Sequence, residues 1–94
     1  MRLSASEIQN LKNSTLAYDP AAKLYLFGSR TDAKQKGGDI DILIISREIT
    51  RQQLREIRLN FFQQFGEQKL DIILDDGSLQ TAFTKMIFPQ AVKL

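Results

Sequence analysis

A chain of 94 residues, 43% of them hydrophobic, can bury one core, so a single domain spanning residues 1–94 with at most one active site is expected. With neither Cys nor His, it has no disulfide framework, no thiolate or imidazole zinc site, and no Cys or His nucleophile or base. Thirteen Lys and Arg against eleven Asp and Glu give a formal charge of +2, too small to make nucleic acid the expected main ligand. No apolar run approaches the roughly 20 residues that span a bilayer. The N-terminal MRLSASEIQ lacks the apolar stretch of a signal peptide, so a cytoplasmic location off the membrane is expected.

In chain order, residues 3–16 read as an amphipathic helix. Ser4 and Glu7 form a capping box, Leu3 and Ile8 a hydrophobic staple, and Ile8, Leu11, Thr15 and Leu16 share a face. Tyr18-Asp19-Pro20 ends it. Residues 23–27, KLYLF, have β composition and run straight into Gly28-Ser29. A polar stretch over 31–38 follows, then a second strand over 39–46 whose unbroken apolar run predicts a central position. Residues 49–65 repeat the helix-start signature with Thr50 and Gln53, and Gly66 stops the helix. A third strand covers 68–74, with Leu70, Ile72 and Leu74 on one face and Asp71, Ile73 and Asp75 on the other. Asp75-Asp76-Gly77 is a turn, and residues 78–88 a last helix broken at Pro89. The order is αββαβα, an α/β (α+β) architecture with a three-stranded mixed sheet packed against helices. The strand, helix, strand crossover makes the second and third strands parallel.

This order gathers residues that are distant in sequence. Asp39 and Asp41 are two positions apart, so a strand places both carboxylates on one face, at the mouth of a segment that reads as buried on both sides. Unpaired carboxylates there are costly, and a bound divalent cation is the simplest compensation. Asp71 falls beside them if the parallel strands are neighbours, and the end of the first strand, Gly28-Ser29, returns to the same rim. The turn beside the charges points to a cation that arrives with phosphates. Each residue also has an ordinary reading. Gly28-Ser29 can be a strand-ending turn, Asp39 a strand-entry residue, and Asp71 a salt-bridge partner of Arg47 or Lys69. Arg30, Lys34 and Lys36 can be solvated loop charges.

Gly28-Ser29-Arg30, Gly38-Asp39-Ile40-Asp41 about ten residues later and Asp71 in the following strand resemble the minimal nucleotidyltransferases of the DNA polymerase beta superfamily. The resemblance covers nearly the whole chain. It implies catalytic and metal-binding roles for Asp39, Asp41 and Asp71, and nucleotide binding by Gly28, Ser29 and Arg30. Asp39 and Asp41 would bridge two Mg²⁺ ions roughly 4 Å apart, with Asp71 completing the second site and favouring the alkoxide of the acceptor. Ser29 would contact the β- or γ-phosphate, Gly28 would let the backbone come close, and Arg30 would pair with a phosphate oxygen. The implied reaction moves a nucleoside monophosphate, AMP from ATP or the equivalent from another nucleoside triphosphate, to a hydroxyl on a protein or small molecule. The chain departs from the family where many members carry Arg-Gly and it has Thr31-Asp32-Ala33. An extra domain of the kind with which larger relatives hold the acceptor is not expected within these 94 residues. As the resemblance implies for many small members, a second expectation is a module with little or no catalysis, the antitoxin-like partner of a helical HEPN-type toxin, docked through the apolar segment 83–94, or a homo-oligomer.

Overall fold

The computed structural model describes residues 3–28 and 39–94. Helix α1 (Ala5–Tyr18) starts where the sequence asks it to. Ser4 accepts from the Glu7 amide at 3.1 Å while Glu7 Oε1 accepts from the Ser4 amide at 2.9 Å, so two orphan donors are satisfied together. Strand β1 (Lys23–Phe27) and strand β2 (Ile40–Ile45) follow. Helix α2 (Arg51–Phe65) begins with the second reciprocal capping box, Thr50 with Gln53, and ends at Gly66, whose φ of 85° only a residue without Cβ adopts freely. Strand β3 (Leu70–Asp75) precedes helix α3 (Ala82–Ile87), a 3₁₀ turn (Phe88–Gln90) and strand β4 (Val92–Lys93).

The sheet order is β3-β2-β1-β4. Strands β2 and β3 are parallel and start together, Ile40 opposite Leu70 and Asp41 opposite Asp71. Strands β1 and β2 are antiparallel, so the end of β1 meets the start of β2, with Phe27 opposite Asp41. The α+β fold class and the central position of β2 hold. The tail adds what the sequence reading left out, a two-residue strand pairing antiparallel with β1 and extending three strands to four.

The pleat of β2 divides the core. Ile40, Ile42 and Ile44 join Leu24 and Leu26 of β1 and Leu70 and Ile72 of β3 beneath α1 and α2, which contribute Leu11, Ile57 and Phe61, all three fully buried. Fully burying a side chain of this size contributes about 2 kcal/mol, so this layer supplies most of the hydrophobic stabilisation. On the opposite face Leu43 lies with Phe27 and Ile87 of α3 in a smaller cluster that Tyr25, Ile45, Ile73 and Phe88 flank. Asp41 and Asp71 belong by strand alternation to this second face.

The last helix is shorter than the 78–88 expected. Asp75 bends its carboxylate back to accept from the amides of Gly77 at 2.7 Å and Leu79 at 3.2 Å, and Leu79 sits at φ 53°. A left-handed residue cannot continue a right-handed helix. The start therefore moves to Thr81, whose hydroxyl accepts from the Thr84 amide at 3.1 Å. Among the described residues, no helix is long and apolar enough to cross a membrane.

Candidate active site

The register builds a row across one end of the sheet. Asp71 of β3, Asp41 of β2 and Phe27 of β1 are direct neighbours in that order. Directly opposed residues in a sheet have side chains on the same face about 5 Å apart, so two carboxylates and an aromatic ring share the rim. Asp39 stands just before β2, where the Ile40 amide donates to the Lys69 carbonyl at 3.1 Å and fixes the strand entry. Three of the acidic residues expected to converge are thus at one edge, and Gly28, next to Phe27, joins them. Ser29 and Arg30, and the stretch 31–38, lie outside the described residues.

Gly28 has φ 78°, and a Cβ built on it would overlap Oδ2 of Asp41, with Asp41 Cγ at 3.2 Å. The turn can pass this close to the carboxylate only because the residue is glycine. Asp41 is half-buried, and burial raises its pKa above the ordinary carboxylate value. The charges of Asp71 and then Asp39 raise it further, while Lys69 partly opposes them. Lys69 Nζ lies 3.4 Å from Asp39 Oδ2, with both side chains open to solvent, so this pair contributes at most about 1 kcal/mol. The sequence reading had offered Lys69 or Arg47 to Asp71; instead Lys69 takes Asp39, one step upstream of β2, and Arg47 Nε donates to the Asp76 carbonyl at 3.3 Å.

The donor set is hard and anionic, which suits Mg²⁺. Asp41, raised by burial and then by two neighbouring carboxylates, is a group whose ionised form a divalent cation would favour. Among the described residues, however, no three acidic side chains close together into a ready metal shell. Asp39 is instead paired with Lys69.

Two further carboxylates sit at the opposite rim. Asp19 accepts from Ser46 Oγ at 2.6 Å and from the Ala21 amide at 2.9 Å, and Asp75 is satisfied by Gly77 and Leu79. These are buried and structural. A concavity of about 350 Å³ on the far side is lined only by α1 and α2, among them Ser14, Tyr18, Glu56, Leu59 and Asn60. It belongs to the helix crossing, where Asn10 Nδ2 donates to Asn60 Oδ1 at 2.9 Å and to Gln64 Oε1 at 2.7 Å. Sequence reasoning missed Lys69 as the neighbour of Asp39; its position directly before β3, parallel to β2, was the available signal.

No curated protein matches the chain significantly. The family model described as nucleotidyltransferase domain matches residues 8–93, from α1 through β4 and including the whole acidic row, and the chain belongs to that family.

Proposed function

We propose that the chain is a Mg²⁺-dependent nucleotidyltransferase that takes ATP, or another nucleoside triphosphate, and transfers the nucleoside monophosphate to a hydroxyl on a protein or small molecule. The observation that carries this reading is the juxtaposition of Gly28, Asp41 and Asp71, with the Asp41 carboxylate in the space a side chain on residue 28 would need. Asp39, Asp41 and Asp71 would hold two cations. Those cations would neutralise phosphate charge and ease ionisation of the acceptor hydroxyl. Gly28 admits phosphate oxygens close to the backbone, and Ser29 and Arg30, which follow it in sequence, are the proposed phosphate contacts. Asp71 is the exposed end of the row and, in this reading, the side from which an acceptor would approach. Asp41, half-buried at its centre, is the residue whose charge depends most on the cation. The whole chain acts as a single domain in this reading.

Incubating wild type and Asp41→Ala with Mg²⁺, α-labelled ATP and cell lysate tests it. Labelling of an acceptor by wild type and not by the variant is expected; equal labelling removes the catalytic assignment.

A second reading has its own observation. Met86 is 62% exposed and Val92 38% exposed, both in the C-terminal apolar segment. Such residues fit a module that docks a helical HEPN-type partner or a second copy, in the cytoplasm, with catalysis weak or directed at that partner. Co-purification from native extract, compared with Met86→Glu, separates it. Retention of the same partner by the variant counts against this surface.

A further inference from the structure

Phe83 is the second residue of α3 and is 44% exposed, although aromatic rings of this size ordinarily find cover. Its ring stands edge-to-face on Phe27, with centroids 5.9 Å apart and planes at 78°. Phe27 is the aromatic end of the row that continues through Asp41 to Asp71. An open ring therefore stands one side chain away from the proposed phosphate and metal site, on the same face of the sheet. Short as it is, α3 is fixed. Thr84 and Ile87 are buried, Thr81 caps the start, and Phe88 just beyond the helix packs edge-to-face on Tyr25 at 5.2 Å. The helix that carries the ring is anchored and the ring rests against Phe27, so part of the freedom that stacking costs is already given up. Met86, one turn further along α3, extends the apolar surface in the direction away from the helix start.

We propose that Phe83 is the stacking platform for the nucleobase of the bound triphosphate. The inference rests on the proposed nucleotidyltransferase reading and deepens it, because it assigns the end of the substrate that the aspartates do not touch. Phosphates at Gly28 and the acidic row leave the base to extend toward β1 and α3, where the exposed ring is the flat apolar surface. A ring face recognises that a base is present rather than which base it is, since every base has a π-face. Phe83 thus sets affinity for nucleotides over bare polyphosphate and leaves the choice between adenine and guanine to other contacts.

Calorimetric titration of Mg²⁺–ATP and of Mg²⁺–tripolyphosphate, which has the phosphates without sugar or base, into wild type, Phe83→Leu and Phe83→Tyr tests the assignment. Leu keeps an apolar contact with Phe27 and so protects the fold, but it has no ring face; Tyr keeps both. Phe83→Leu is expected to weaken ATP about tenfold and leave tripolyphosphate unchanged, while Phe83→Tyr retains wild-type affinity for both. Unchanged ATP affinity in Phe83→Leu, or an equal loss for ATP and tripolyphosphate, overturns the stacking role while leaving the phosphate site standing. Failure of wild type to bind either ligand overturns the site itself and the platform with it.

Discussion

The two ends of β2 carry aspartates under opposite terms. At its C-terminal end, Asp19 and Asp75 are 7% and 8% exposed, and each is met by donors: a serine hydroxyl and a backbone amide for Asp19, two backbone amides for Asp75. At its N-terminal end, Asp41 is met by more negative charge, from Asp71 and Asp39. A carboxylate surrounded by donors is finished as the chain folds. One surrounded by carboxylates is not, and the difference separates a structural group from a candidate functional one.

The contrast is broken most strongly by neutralising one residue at each end. Asp41→Asn keeps the side chain's shape and removes one charge from the row. It is expected to lower transfer activity about a thousandfold, equivalent to roughly 4 kcal/mol of transition-state stabilisation, with the fold intact by circular dichroism. Ser46→Ala acts at the other end. It deprives Asp19 Oδ2 of its donor and strips an acceptor from the amides of Glu48 and Ile49, each 3.1 Å from Ser46 Oγ. A loss of about 2 to 3 kcal/mol in urea unfolding is expected, with Mg²⁺–ATP affinity of the folded protein unchanged. If Ser46→Ala instead lowers affinity and spares stability, the division between the two rims is wrong.

Much of this contrast could be read from the sequence, for a physical reason. Local chemistry with a fixed spacing is legible. The Ser4/Glu7 and Thr50/Gln53 boxes start both long helices where expected, and the alternation of residues 40–45 sets Asp41 on the face away from α1 and α2. Parallel pairing of β2 and β3 then follows from the crossover and brings Asp71 to Asp41. Contacts decided by a single side chain were not legible. Residues 78–88 read as one helix, yet the Asp75 carboxylate captures the amides of Gly77 and Leu79 and delays α3 to Ala82. Val92 and Lys93 are too few to show a strand period, and only the 3₁₀ turn at Phe88–Gln90 returns them to β1. The Asp19–Ser46 bond joins residues 27 apart and leaves no periodic trace.

A pair of glycines sharpens the comparison at smaller magnitude. Gly28 and Gly66 both have positive φ, at 78° and 85°, but a Cβ on Gly66 would meet nothing within 4 Å while one on Gly28 would strike Asp41. Alanine at either position carries a backbone cost of about 1 kcal/mol. Gly28→Ala is expected to add displacement of Asp41, so it should lower Mg²⁺–ATP affinity, whereas Gly66→Ala should cost stability alone. Parallel titrations and unfolding curves on the two variants distinguish strain from intrusion.

The smallest effect is the pH dependence of stability. Asp41 has a folded-state pKa raised chiefly by burial, then by Asp71 and Asp39, with Lys69 acting in the other sense. A raised pKa means that the folded protein holds this proton more tightly than the unfolded chain. The contribution to stability is therefore fully present below the ordinary carboxylate pKa and is lost as pH rises through the raised value. Asp41→Asn cannot ionise and escapes that loss. The variant is expected to be more stable than wild type at neutral pH, with the advantage shrinking to nothing at acid pH below the carboxylate range; urea unfolding of both proteins at the two pH values measures it. An advantage of equal size at both would show that packing rather than charge is responsible. In the proposed reading a divalent cation would compete with the same proton, so Mg²⁺–ATP affinity of wild type should fall across the same acid window. A single substitution that gains stability and loses activity is what a carboxylate kept for its ligand predicts, and what Asp19, already satisfied by Ser46 and Ala21, does not.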